Sequence, residues 1–357
     1  MNAQLYAIAQ QLVASGKGIL AADESTRNAD KRFAAVGVEQ TEEMRRQWRQ
    51  LLLTTPGIEE FLSGVILFDE TIRQKTDENM PFSEFLSAKG IVPGIKVDEG
   101  TVDWEGHPGE KITQGLEGLA SRLKEYQTMG ARFTKWRAVI AIGESASWRI
   151  PTQELIQKNA EILAEYAEVS QAEGFVPIVE PEVLLEGNHS IEKAEEVTTN
   201  TLKAVFTALQ GKRVDLKGLI LKSSMVLAGK DCTSQADARQ IAEATVRTFQ
   251  NSVPQETAGI VFLSGGQSPQ QATGNLSEII KTSRNSGPPA GLRLRGSDSR
   301  SGWPLTFSFS RALQEPVLQI WRGDSSKVEP AQQAFLKRLK LNAAALKGSY
   351  TKEMEEE

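Results

Sequence analysis

Short apolar runs with little alternation recur along the chain, and each closes on a polar or charged residue. Eight stand out: GKGILAADES (16–25), GVILFDE (64–70), IVPGIKVDEG (91–100), ARFTKWRAV (131–139), FVPIVEPE (175–182), GLILKSSM (218–225), AGIVFLSGG (258–266) and PLTFSFSRAL (304–313). Interiors rich in Val, Ile, Leu and Phe, without the in-out pattern of a half-exposed strand, fit parallel strands buried on both faces. Between them lie segments with apolar residues at helical spacing, among them TEEMRRQWRQLLLT, ITQGLEGLASRLKEYQTMG, PTQELIQKNAEILAEYAEVSQAEG, SIEKAEEVTTNTLKAVFTALQG and SQADARQIAEATVRTFQ. Strand alternating with helix in this way predicts an α/β fold, a (β/α)8 TIM barrel. Residues 3–15 and 330–348 read as extra N- and C-terminal helices flanking it. No linker interrupts the alternation, so residues 1–357 are expected to form a single barrel domain with a flexible insert at 283–303 and an acidic tail at 349–357.

In such a barrel the C-terminal strand ends carry the active site, so the residues closing the runs converge in one cleft. In strand order they are Asp23, Asp69 with Glu70, Lys96 with Asp98, Lys135 with Arg137, Glu180 with Glu182, Lys222, Ser264 with Gly265 and Gly266, and Ser308, Ser310 and Arg311. Strand side chains alternate, so Lys135 and Arg137, flanking Trp136, and Glu180 and Glu182, flanking Pro181, should point into the mouth while Trp136 and Pro181 face the helices. Lys222 ends a fully apolar run, where an ammonium is costly to desolvate. Either it is paired for structure or its amine is activated as a nucleophile toward a carbonyl. Lys135 nearby would lower the pKa of Lys222, and a carboxylic acid whose pKa burial raises, with Glu180 the candidate, would protonate and remove a carbinolamine oxygen. The competing reading is a ring of structural ion pairs sealing the barrel top. The turn Ser264-Gly265-Gly266 offers N–H groups to a phosphate at a helix N-terminus, and Arg311 beyond strand eight offers a bidentate clamp.

Composition narrows the chemistry. With 41 Lys and Arg against 46 Asp and Glu the net charge is -5 and no basic stripe is present, which argues against a nucleic-acid partner. No apolar run approaches membrane-spanning length, and the N-terminus lacks secretory or transit character, so no membrane association and a cytoplasmic location are expected. The single cysteine, Cys232, agrees with a reducing compartment and reads as a half-buried small side chain. Two histidines, His107 and His189, both expected on surface loops, cannot furnish a His-rich zinc site. Acid-base work falls to carboxylates, lysines or tyrosines.

The runs GKGILAADES, LTTPGIEEFLSGVILFDET, GIKVDEG, TQGLEGL, FTKWRAV, GFVPIVEPE, TLKAVFTAL, FLSGGQS and LTFSFSRALQ, in this order, resemble the class I, Schiff-base fructose-bisphosphate aldolases from about Gly16 to Gly348. The resemblance implies reversible cleavage of fructose 1,6-bisphosphate, a sugar-phosphate substrate, to dihydroxyacetone phosphate and glyceraldehyde 3-phosphate, in glycolysis, gluconeogenesis or the Calvin cycle. By that resemblance Lys222 forms the imine, Glu180 shuttles protons during carbinolamine dehydration, and Asp23 takes the proton of the C4 hydroxyl. Lys135 and Glu182 order the charges around the imine lysine. Ser264, Gly265, Gly266 and Arg311 hold the ketone-side phosphate, and Lys96, Arg137 and Lys31 lie toward the second. It also implies that no metal or organic cofactor is needed, the protonated imine being the electron sink, and that the chain assembles as a homotetramer. The alternatives are another lysine-imine barrel acting on a different sugar phosphate, and a catalytically silent barrel serving as a sugar-phosphate sensor.

The chain departs from the family pattern at several points. Ser223 and Ser224 follow the imine lysine where Pro-Asn is usual, and Phe309 and Ser310 precede Arg311 where Tyr-Gly is frequent. The chain ends TKEMEEE rather than in a tyrosine, and Tyr350, the tyrosine nearest the end, is expected to stay mostly outside the cleft. The insert 283–303 joins helix seven to strand eight and is expected to open on the lower face, away from the cleft.

Overall fold

The eight apolar runs form β1 (Gly18–Ala22), β2 (Leu62–Leu67), β3 (Val92–Lys96), β4 (Phe133–Ile140), β5 (Val176–Val183), β6 (Ile220–Ser223), β7 (Gly259–Phe262) and β8 (Leu305–Phe309) in a computed structural model of the chain. All pair in parallel, and β1 closes the sheet by pairing with both β2 and β8. The structure describes residues 2–145, 148–286 and 302–356. The long connections between successive strands are helical, as a right-handed crossover requires. Their starts are written locally: Thr152 and Ser190 accept from backbone N–H groups three residues on, and Asp237 and Gln240 form a reciprocal capping box.

Burial explains the lack of alternation in the strands. One face of each packs on helices: Trp136, fully buried, lies 5.3 Å from the Tyr166 ring of the helix Gln153–Ala172. The other face fills the barrel. Its lower half is apolar, made by Ile19, Ala21, Ile66, Val92, Phe133, Val176, Ile178, Ile220 and Val261. The N-terminal helix Asn2–Leu12 and the residue after it plug this end with Leu5, Ala9, Leu12 and Val13. Gly94 makes room for the Phe133 ring, since a Cβ there would lie 2.2 Å from it.

Several expectations need adjustment. The extra helices span Asn2–Leu12 and Val328–Lys347. The helix expected from residue 112 begins at Leu119, because Lys111–Thr113 pairs as a short strand with Thr101–Asp103 and Gly115 and Gly118 take positive φ. A second hairpin, Gly143–Ser145 with Trp148–Ile150, follows β4. His189 is buried rather than on the surface, because the segment after β6 folds over it: Gly229 and Asp231 N–H groups donate to the His189 and Gly187 carbonyls at 2.8 and 2.9 Å. His107 is partly exposed and stacks on Trp104 at 3.6 Å. Cys232 is half-buried.

Residues 287–301 of the expected insert lie outside the described residues. Its described flank, Trp303, is buried and donates to the Pro254 carbonyl at 2.9 Å, among segments that precede β1, β7 and β8. The tail packs on the outer helices. Tyr350 is buried and donates to Glu355 Oε1 at 2.9 Å, while Arg338 and Lys337 of the last helix hold the Glu355 carboxylate and carbonyl. Among the described residues, no helix is long and apolar enough to cross a membrane.

Candidate active site

Above the apolar plug the inward-facing positions turn polar within one period of the strand. The series run Val92, Gly94, Lys96 on β3; Phe133, Lys135, Arg137 on β4; Ile178, Glu180, Glu182 on β5; and Ile220, Lys222 on β6. These side chains open onto a cavity of about 890 Å³ lined by Asp23, Lys96, Lys135, Arg137, Glu180 and Lys222, with Ser310 and Asp69 at its edge.

The charges form a continuous chain of ion pairs. Lys222 Nζ lies 3.0 Å from Glu180 Oε1; Glu180 Oε2 lies 3.3 Å from Lys135 Nζ; and Lys135 Nζ lies 2.7 Å from Asp23 Oδ2. All four side chains are nearly removed from solvent. Arg137 pairs with Glu182, and Lys96 lies 2.7 Å from Asp98 Oδ1. Burial pushes the Asp23 carboxyl up, but the Lys135 and Lys222 ammoniums pull it down further and leave it at about 2. Burial works to discharge Lys135, yet Asp23 and Glu180 hold it protonated well above the usual lysine range.

Glu180 corrects the expectation of a carboxylic acid kept neutral by burial. Burial does push it up, but Lys222, then Lys135 and Arg137, override that and hold it below the usual glutamate range. Glu180 is therefore a carboxylate facing Lys222 and Lys135.

The anticipated phosphate residues are placed unevenly. Ser264, Gly265 and Gly266 turn between β7 and the helix Pro269–Ser286, with φ of +20° at Gly265 and +78° at Gly266. The N–H groups of Gly265 and Gly266 donate to no acceptor among the described residues. The helix N-terminus is less available than expected, because Ser268 and Gln271 cap it reciprocally at 3.1 Å in each direction. Arg311 is exposed at the start of the helix after β8, the strand beside β7. Lys31 is exposed on the helix Thr26–Val36, one turn beyond Arg27 and Asn28, which line the cavity while Lys31 does not. Glu182, Ser264, Gly265, Gly266 and Arg311 are likewise outside the lining, Glu182 acting on it through Arg137. Glu70 turns away from the cleft to Arg45 at 2.7 Å, since Asp69 and Glu70 begin a helix instead of ending a strand.

One cluster escaped the sequence. Glu24, next to Asp23, is held by Arg32, by Arg49 at 2.8 Å and by the Ser310 hydroxyl at 3.0 Å. Its position in AADES was a signal that could have been used. Arg32 and Arg49 offered none, because on amphipathic helices they read as solvated surface.

Comparisons with known proteins place the fold and the family. The family model described as fructose-bisphosphate aldolase class-I matches residues 4–357. A protein of Xanthomonas axonopodis pv. citri named probable fructose-bisphosphate aldolase class 1 is 48% identical over 348 residues, covering 97% of this chain and 98% of that protein. Fructose-bisphosphate aldolase 5, cytosolic, of Arabidopsis thaliana is 47% identical over 348 residues, 98% of this chain and 92% of that one. The solved structure of the Plasmodium falciparum fructose-bisphosphate aldolase, in a complex with TRAP and a small-molecule inhibitor, superposes with a TM-score of 0.90 at 44% identity, covering 98% of this chain and 95% of its own.

Proposed function

The chain belongs to the class-I fructose-bisphosphate aldolase family, and within that family we propose specific roles for the residues of its cleft. Its reaction is the reversible aldol cleavage of fructose 1,6-bisphosphate, by the family's metal-independent Schiff-base route. The observation that carries the assignment is the ion-paired series Lys222, Glu180, Lys135, Asp23 along one wall of an open cavity.

Glu180 takes a proton from the Lys222 ammonium 3.0 Å away, freeing the amine to attack the substrate C2 carbonyl. Neutralising Lys222 removes the charge that most depresses the Glu180 carboxyl, so its pKa rises and Glu180 holds the acquired proton until it is passed to the carbinolamine oxygen, which leaves as water. The low pKa of Asp23 keeps it ionised to accept the C4 hydroxyl proton. The C3–C4 bond then breaks, its electron pair flows into the iminium, and glyceraldehyde 3-phosphate departs. Protonation of the enamine and hydrolysis of the imine return dihydroxyacetone phosphate and Lys222. Lys135, held charged between Asp23 and Glu180, keeps Asp23 a carboxylate, and Glu182 fixes Arg137 at the rim.

The free N–H groups of Gly265 and Gly266, with Ser264 and Arg311, take the ketone-side phosphate; Lys96 and Arg137, with Lys31 at the periphery, take the other. The residues 1–357 act as one catalytic domain, located in the cytoplasm like the cytosolic relative and assembled as a homotetramer. A structural ion-pair ring is the weaker reading, because these charges line an open cavity instead of closing the barrel. The test is cleavage of fructose 1,6-bisphosphate with EDTA present, followed by borohydride addition together with dihydroxyacetone phosphate. Activity indifferent to EDTA and abolished by borohydride is expected; loss to EDTA alone would overturn the reading.

A further inference from the structure

Strand β6 is held unequally on its two sides at the level of Lys222. Toward β7 the register continues through Lys222 and Ser223, and the Leu263 N–H donates to the Ser223 carbonyl at 3.0 Å. Toward β5 the ladder ends at Leu221 opposite Val179, one residue short of Lys222. The top of β5 is tied instead to β4, whose register reaches Ile140 opposite Val183, followed by Leu184 N–H to the Ile140 carbonyl at 2.9 Å. Lys222 and Glu180 thus sit at the very end of the β5–β6 ladder, just past its last paired residues, and their side chains meet at 3.0 Å.

Directly above the pair this flank is tied by a side-chain hydrogen bond, before Gly229, Lys230 and Asp231 N–H groups donate to the His189, Leu185 and Gly187 carbonyls further out. Ser224 is buried, and its hydroxyl donates to the Val183 carbonyl at 3.0 Å, bridging 41 residues of sequence to the residue after Glu182. The Ser223 hydroxyl, fully buried, donates to the Ser224 carbonyl at 3.0 Å and orients the peptide that presents Ser224. We propose that Ser224 is a positioning residue for the imine-forming step, stapling β6 to β5 so that Lys222 Nζ and Glu180 Oε1 stay within proton-transfer distance. The proposal rests on the reading of Lys222 as the imine lysine. Without the staple, the stretch of chain between Leu221 and Gly229 loosens from β5, the Lys222–Glu180 separation grows, and deprotonation of the ammonium slows. The staple's hydrogen bonds run only to the Ser224 and Val183 carbonyls and to none of the residues assigned to either phosphate.

The test compares wild type, Ser224→Ala and Ser224→Thr by rapid-quench borohydride trapping with dihydroxyacetone phosphate, alongside kcat and KM for fructose 1,6-bisphosphate. In Ser224→Ala the rate of imine formation and kcat should fall together by about three- to tenfold, the range set by one net hydrogen bond. KM should move by less than about twofold, and the final yield of label on Lys222 should stay stoichiometric. Threonine keeps the hydroxyl and should restore the rate. An imine-formation rate in Ser224→Ala equal to wild type, or a threonine variant as slow as alanine, would overturn the proposal. If Ser224→Ala does not fold, Ser224→Cys, similar in size and a weak donor, is expected to show the same slowed step, and a wild-type rate there would equally overturn it. Absence of label from Lys222 in the wild type would instead refute the imine assignment, so the two failures are distinguishable.

Discussion

The lower and upper halves of the barrel interior are built by the same strands and obey opposite rules. Below, Phe133, Ile178 and Ile220 fill space against the plug of Leu5, Ala9 and Leu12. Two residues further along each strand stand Lys135, Glu180 and Lys222, buried just as deeply. The lower half is stabilised by removing apolar area from water. The upper half carries a desolvation penalty that the ion pairs offset only while every partner is present. The contrast separates two roles within the same strands: the plug fills the lower barrel with apolar side chains, and the ion-paired charges one period above it are the groups proposed to react.

Exchanging the halves' defects should separate the two roles. Glu180→Gln should lower turnover by ~10²–10⁴, the span typical of losing a positioned acid-base group, and slow imine formation while leaving phosphate affinity largely intact. Pre-steady-state trapping and KM measure this. An unchanged rate of imine formation would remove Glu180 from the proton shuttle. Phe133→Ala, one strand period below Lys135, should instead cost about 3–5 kcal/mol of stability, read by denaturant unfolding, with turnover per folded molecule nearly preserved. A turnover loss as large as that of Glu180→Gln would show that the halves are not separable.

Acid titration sharpens the comparison further. The Asp23 carboxyl is depressed from 3.8 to about 2, so its contribution to stability is complete above the unfolded value and is lost as pH falls through about 2. At 1.36 kcal/mol per unit this is of the order of 2 kcal/mol. The stability difference between wild type and Asp23→Asn should be flat above pH 4 and change between pH 4 and 2. A difference that is constant across that window would mean that Asp23 is not held by Lys135 and Lys222 as described.

The smallest effect is expected far from both halves. Tyr350 donates to Glu355 on the outer helices, and burial and Glu355 push its hydroxyl up to about 12. Tyr350→Phe should therefore cost roughly 1 kcal/mol of stability and change hydrogen-isotope exchange into dihydroxyacetone phosphate by less than about twofold. A hundredfold fall in exchange would place this tyrosine in the cleft during turnover.

The barrel was legible because its strands are buried on both faces, which leaves uninterrupted apolar runs, and because Trp136 and Pro181 separate charged pairs at the strand period. The contents of the mouth were legible for the same reason. What stayed hidden depends on contacts distant in sequence. The Ser310 hydroxyl reaches Glu24 across 286 residues, and His189 is buried only because residues 229–231 fold over it. The direction of the Glu180 shift was misread because burial is visible in an apolar run, whereas two ammoniums converging from β4 and β6 are not.

The central claim is that Lys222 is the nucleophile and Lys135, its buried neighbour across Glu180, is not. Borohydride reduction with dihydroxyacetone phosphate, followed by peptide mass mapping, tests it directly. The account predicts one label per chain, on Lys222, and none in a folded Lys222→Arg variant that has lost turnover. Label on Lys135, or turnover surviving in Lys222→Arg, would contradict it.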